Sequence, residues 1–328
     1  MPVKTKRNDL SFPQAIRSFV GYLVGTKKSA HTIKNYQLDL FSFQSFIKKE
    51  YLGRPIKLNQ LGRVDVDRFH DFLKGEGLKK NTRRRKILTL TQFFNHLAKR
   101  KRLGPEMAQK WVAPHKVERI PMTVPFTPLM EAIQRLPESS LLDARNRTLL
   151  WTLAETGCLV SEISQLRFDQ WEKTPSGVFL SIEGKFKRKV PVSKDLLSCV
   201  EKLKKRFALK KDGKTTEKNE QDPWMFLGFN RFGSLGMPMS PRGVEMLVRL
   251  YGSKLGFPEL TPRVFRHSII LNWFSLGISQ TEIQAWLGLK TTYAFRSYIP
   301  LIEESKSLDP SGRPHPVSEG RGGDFQGS

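Results

Sequence analysis

TPRVFRHSIILNWFSLGISQTEIQAWLGLKTTYAFRSYIP, residues Thr261 to Pro300, says more about this chain than any other stretch. It opens on a Pro-primed cluster of basic residues, Arg263, Arg266 and His267, which a strongly apolar segment then carries into a protein interior. Guanidinium groups taken inward need a hydrogen-bonded or anionic partner, so they read as functional candidates. A Gly-interrupted helix pair, GISQTEIQAWLGL, comes next, followed by an aromatic run in which Tyr298 stands nine residues after Leu289.

Outward from that stretch, the whole chain has 328 residues, enough for two domains that each bury a core. Lys and Arg number 56 against 31 acidic residues, a formal charge of +25, which favours a polyanionic partner and nucleic acid before a membrane. No window holds 18 consecutive apolar residues, and MPVKTKRNDL lacks the apolar core of a signal peptide, so a cytoplasmic protein is expected. Cys158 and Cys199 make neither a disulfide framework nor a zinc site and read as small core hydrophobes.

Residues 1 to 10 read as a basic arm and 11 to 103 as an all-helical domain. Phe12, Ile16, Phe19, Val20 and Leu23 recur at helical spacing, and Ser29 caps a second helix with Ile33, Tyr36, Leu40, Phe43, Phe46 and Ile47 inward. A third helix over Leu61 to Leu73 is expected to bury Val64, Val66, Phe69 and Phe72; a fourth, from Asn81-Thr82, buries Ile87, Leu90, Phe93, Phe94 and Leu97. At the head of the fourth, Lys79, Lys80, Arg83, Arg84, Arg85 and Lys86 crowd a helix N-terminus, where backbone amides and side chains can hold phosphate together. A solvated basic face is the plainer alternative, but AKRKR at 98 to 102 and the charge of the whole chain favour DNA contact.

Residues 104 to 126 are Pro-rich and aperiodic, hence a linker, and Thr127-Pro128 is expected to cap the first helix of a second domain over 127 to 305. Ala144 to Trp171 reads as two helices joined at Thr156-Gly157. GVFLSIEGKFKRKVPV, 177 to 192, reads as a hairpin whose turn carries Lys185, Lys187, Arg188 and Lys189, although lysines at a hairpin tip can also guard an edge strand. Residues 204 to 223 read as a polar insertion, and Ser240-Pro241-Arg242-Gly243 caps a helix through Val244, Leu247, Val248 and Leu250. Residues 306 to 328 read as a disordered tail.

Arg266-His267-Ser268, Leu287-Gly288 some twenty residues later and Tyr298 together resemble the C-terminal signature of the tyrosine recombinases, the phage integrase and Xer-type family. The resemblance implies a mainly α fold with a small β-sheet: an N-terminal helical core-binding, SAM-like domain and a C-terminal α+β catalytic-type domain that grip duplex DNA as a C-shaped clamp. It implies attack by Tyr298 on a phosphodiester, giving a 3′-phosphotyrosyl link and a free 5′-hydroxyl, with no metal and no ATP. Arg266 matches the second catalytic arginine, His267 the residue after it, Glu162 the supporting acidic group, and Lys185 the lysine that protonates the leaving 5′-hydroxyl.

The same alignment shows departures. The family turn T-G-x-R-V-S-E-L is here Thr156-Gly157-Cys158-Leu159-Val160-Ser161-Glu162-Ile163, so the first arginine is Leu159. Arg263 stands where a histidine usually acts, and Leu289 where histidine or tryptophan binds the phosphate. Each lost donor to the developing oxyanion costs about 3–4 kcal/mol, so cleavage is expected to be impaired. Lys79, Lys80, Arg83 to Lys86, Lys187 to Lys189 and Arg242 are then the expected contacts to double-stranded DNA, and an active homologue or self-association on DNA the expected partner. An active recombinase in which Arg263 compensates is the alternative; an RNA-binding helical protein fits the charge but not the Lys185 hairpin or the Tyr298 spacing.

Overall fold

The structure, a computed structural model, describes residues 10–54, 56–100, 102–103, 111–184, 186–211, 224–229 and 235–307. The basic arm over 1–9, Lys185, the insertion beyond 211 as far as 223 and the tail from 308 lie outside the described residues. By its internal contacts the chain divides into two units, Met1–Glu118 and Arg119–Ser328.

In the first unit the apolar spacing becomes four helices among the described residues: α1 (Phe12–Gly25), α2 (Ala30–Glu50), α3 (Arg63–Gly75) and α4 (Lys80–Lys99). Ser29 caps α2 by accepting from the Thr32 amide at 3.2 Å, satisfying a donor that the first helical turn leaves open. The inward faces are largely Phe: Phe43 and Phe69 meet edge to face at 5.1 Å, and Phe19 and Phe93 at 5.6 Å, arrangements that add to simple area burial.

Two expectations are corrected in this unit. Val64 is 61% exposed, because the α3 face that packs is set by Val66, Phe69 and Leu73. Trp111, inside the Pro-rich stretch read as a linker, is buried in the first core with its ring against Phe94. An aperiodic segment can still contribute a large side chain to a core, and periodicity is blind to that.

In the second unit, α6 (Leu141–Thr156) is central, packed by α5 (Phe126–Gln134), α8 (Lys194–Lys211) and α10 (Pro262–Ser275). It is buried on nearly every face, polar positions included. Thr148, Thr152 and Thr156 tolerate this because each hydroxyl donates to the carbonyl four residues back, at 2.7, 2.8 and 2.5 Å. Gly157 ends α6 at φ +58°, and a Cβ there would meet Ile269 Cγ2 at 3.1 Å. The left-handed cap and the close approach of α10 both call for glycine.

After α7 (Val160–Ile163), β1 (Trp171–Thr174), β2 (Gly177–Ile182) and β3 (Arg188–Val192) form an antiparallel sheet in that order, with Ile182 opposite Arg188 at the turn end of the β2–β3 hairpin. A second antiparallel pair, β4 (Leu227–Phe229) and β5 (Leu235–Pro238), precedes α9 (Pro241–Lys254). The chain then runs through α10, α11 (Gln280–Leu287), a 3-10 segment over Thr292–Tyr298 and α12 (Ile299–Ser307).

Here too the structure corrects details. Pro125, not Thr127, is the N-cap of α5, since the helix starts at Phe126. Residues 204–211 continue α8 instead of opening an insertion. Leu250 is 62% exposed on α9, whose core face is Val244, Leu247 and Val248. Residues 306 and 307 belong to α12, not to a tail. Both cysteines are free and buried, as read. Among the described residues no helix is long and apolar enough to cross a membrane.

Candidate active site

The site is built on the first turns of α10. Thr261 caps the helix, its hydroxyl accepting from the Val264 amide at 3.2 Å, and Pro262 supplies a residue without an N–H where none is needed. Val264, Phe265 and Ile269 go to the core, which turns Arg263, Arg266 and His267, spaced i, i+3 and i+4, towards a cleft that Ile270 also lines.

Arg266 is held by two helix ends. One terminal nitrogen donates to the Gly157 carbonyl at 2.5 Å and the other to the Leu287 carbonyl at 3.0 Å. These are the C-terminal ends of α6 and α11, where unpaired carbonyls and the negative end of the helix dipole favour a cation. Burial, with the charge of Arg188 behind it, depresses the pKa of this guanidinium from its usual value.

Tyr298 ends the 3-10 segment with 4% of its surface exposed. Its hydroxyl is hydrogen-bonded to Nδ1 of His267, whose Nε2 in turn faces Nε of Arg263 at 3.2 Å. Burial pushes the phenol up to about 12, against the opposing pull of Arg266 and Arg263. Burial likewise brings the imidazole down to about 4, and Arg263 and Arg266 act in the same direction. Leu159, Arg263, Arg266, His267, Leu289 and Tyr298 all line one open cleft of about 760 Å³. Leu159 is 48% exposed there.

Glu162, Arg188 and the rest of the sequence candidates are placed differently. Glu162 accepts from both terminal nitrogens of Arg188 at 2.7 and 2.8 Å and from the Leu159 amide at 2.8 Å, while Arg188 Nε donates to the Trp286 carbonyl at 2.7 Å. Burial alone would depress the Arg188 guanidinium, but Glu162 outweighs it and raises the pKa. Arg188 is therefore an internal brace among β3, α7 and α11 and not an exposed DNA contact, which corrects the reading of the hairpin turn. Lys187 and Lys189 sit at the surface in ion pairs with Glu183 and Glu172. Arg242 is exposed in the first turn of α9.

In the first unit, half of the basic run is committed internally. Asp39, 1% exposed, takes ion pairs from Arg85 and Lys86 and a hydrogen bond from Thr89, and Arg84 donates to the Pro114 carbonyl at 2.7 Å. Arg85 and Lys86 thus offset the desolvation of the Asp39 carboxylate, although the Arg85 side chain keeps 47% of its surface exposed. Lys79 and Lys80 remain exposed, and Arg83 is part-buried. Reading the sequence also missed Glu245 and Arg249 of α9, which line the cleft. Their i, i+4 spacing places them on one side of that helix, but only tertiary packing brings the side to the cleft.

Residues 16–101 match the phage integrase N-terminal SAM-like domain, and residues 127–302 match the phage integrase family. The tyrosine recombinase XerC of Chlamydia caviae is 26% identical over 301 residues, spanning 85% of this chain and 92% of that protein. XerC of Staphylococcus carnosus is 23% identical over 261 residues, 79% of this chain and 83% of that one. Among solved structures, the XerH site-specific recombinase bound to difH substrate in its pre-cleavage complex gives a TM-score of 0.64 at 19% identity, covering 91% of this chain and 85% of that one. A lambda integrase dimer bound to a COC' core site gives 0.60 at 14% identity, covering 96% and 82%. These structural likenesses speak to the fold.

Proposed function

The chain belongs to the phage integrase family, the tyrosine recombinases, and we propose that it is a double-stranded DNA-binding protein of recombination in which strand cleavage by Tyr298 is impaired. The observation that carries this reading is the make-up of one cleft: Tyr298, His267, Arg266 and Arg263 line it together with Leu159 and Leu289, which offer no hydrogen bond. In this reading the two units close on the duplex as a clamp, with Lys79, Lys80 and Arg242 among the phosphate contacts, and an active homologue or a second copy joins on DNA.

The chemistry sets the scale. Ionising a phenol whose pKa is about 12 at neutral pH is uphill by about 7 kcal/mol, so the nucleophile depends on groups that act as its proton leaves. Arg266 uses two of its five N–H groups on carbonyls, leaving three for a phosphate. The pentavalent phosphorane gathers charge that leucines at 159 and 289 cannot meet, at about 3–4 kcal/mol for each absent donor.

One observation favours the alternative of a working recombinase. Arg263 is exposed on the cleft, and among the described residues its hydrogen bond to a side chain uses only Nε. Its terminal nitrogens could then meet the phosphate in place of the absent arginine. A nicked duplex, taken from a random pool by selection for binding, separates the two readings. Tight binding with scarce covalent adduct supports the impaired site. Rapid adduct formation that vanishes in Tyr298→Phe supports the alternative, and absence of duplex binding overturns both.

A further inference from the structure

His267 stands between a group that can only donate and a group that can do either. Arg263 has nothing but N–H to offer, so His267 Nε2, 3.2 Å from Arg263 Nε, is the bare nitrogen of the ring. A neutral imidazole then carries its proton on Nδ1, the atom that faces the Tyr298 hydroxyl. The phenol oxygen accepts or donates as required, so Arg263 and not Tyr298 fixes the tautomer.

We propose that His267 orients Tyr298 for attack, as a hydrogen-bond donor to the phenol oxygen locked in its Nδ1–H tautomer by Arg263. The proposal rests on the reading of Tyr298 as the residue that meets the phosphodiester. With Nδ1–H on the oxygen, the phenol proton points away from the imidazole. A donor in that place suits phenol and phenolate alike, whereas the other tautomer would turn a bare nitrogen towards the phenolate. Burial and the two arginines keep the ring neutral, which the arrangement requires. Arg263 is then a positioning residue, acting through His267, and its place in a position usually held by histidine takes on a purpose beyond phosphate contact.

The test needs no DNA, so its failure is distinct from failure of the recombinase reading. In the full chain with 15N-labelled histidine, long-range proton–nitrogen correlation at neutral pH reports which ring nitrogen of each of the six histidines is protonated. His267→Asn identifies the signal; should that variant fail to fold, His267→Gln serves. The expected result is the Nδ1–H form for His267, retained in Tyr298→Phe and lost to the Nε2–H form or a mixture in Arg263→Met. An Nε2–H ring in the unmodified chain, or a tautomer unmoved by Arg263→Met, overturns the proposal.

Discussion

Arg188 gives both terminal nitrogens to the carboxylate of Glu162, at 2.7 and 2.8 Å, and this pair ties the β2–β3 hairpin to the turn that carries Leu159. The side chains are only 6% and 17% exposed. Removing one member of a buried pair leaves the other charge uncompensated, so Arg188→Met is expected to lower stability by about 3–5 kcal/mol in urea unfolding. Adding Glu162→Gln to that variant should recover much of the loss. A loss below about 1 kcal/mol would show that the brace carries little.

The basic run of α4 divides into two populations with different signatures. Asp39→Ala strands Arg85 and Lys86 and is expected to destabilise the first unit by about 3 kcal/mol. Lys79→Ala and Lys80→Ala should leave stability within about 0.5 kcal/mol and each reduce the salt slope of duplex binding by about 1. Binding titrations at several salt concentrations check this; an unchanged slope in both lysine variants would remove them from the interface.

His267 sets a pH dependence whose sign follows from its environment. Arg263 and Arg266 face it from α10 and Tyr298 from the 3-10 segment, and its pKa is brought from 6.5 to about 4 by burial first and then by the two arginines. Between those values the unfolded chain binds the proton and the native state does not, so stability is fully present above about 6.5 and is lost as pH falls towards 4. Urea midpoints at pH 7 and pH 4.5 should therefore converge more in His267→Asn than in the unmodified chain. Equal losses in the two would contradict the assignment.

Trp111 offers a test of where the first unit ends. Its ring lies in the Phe core, so Trp111→Ala should cost about 3–5 kcal/mol, whereas Val112→Ala, at an 83% exposed neighbour, should be close to neutral. Similar small effects at both would return this stretch to a linker.

What the sequence made legible follows from what patterns encode. The helical stripes of α1, α2 and α4 were readable because Phe and Leu recur at 3.6-residue spacing, and caps such as Ser29 and Ser240 mark helix starts by local chemistry. The convergence of Arg266 and Tyr298 on one cleft was legible through family spacing. Neither kind of signal could see Asp39 drawing Arg85 and Lys86 inward, Arg188 turning to Glu162, or His267 meeting Tyr298, because each pairing joins residues 26 to 47 positions apart through tertiary packing. The short strands β1, β4 and β5, of four, three and four residues, carry too few alternations to stand out.

The most direct measurement is the single-turnover rate of covalent adduct on the selected nicked duplex for the unmodified chain and for Leu159→Arg with Leu289→His. Restoring two donors to the cleft should raise the rate by on the order of a hundredfold or more while duplex affinity changes little, and Tyr298→Phe should abolish the adduct in either background. A rapid rate in the unmodified chain that the two substitutions leave unchanged would contradict an impaired site.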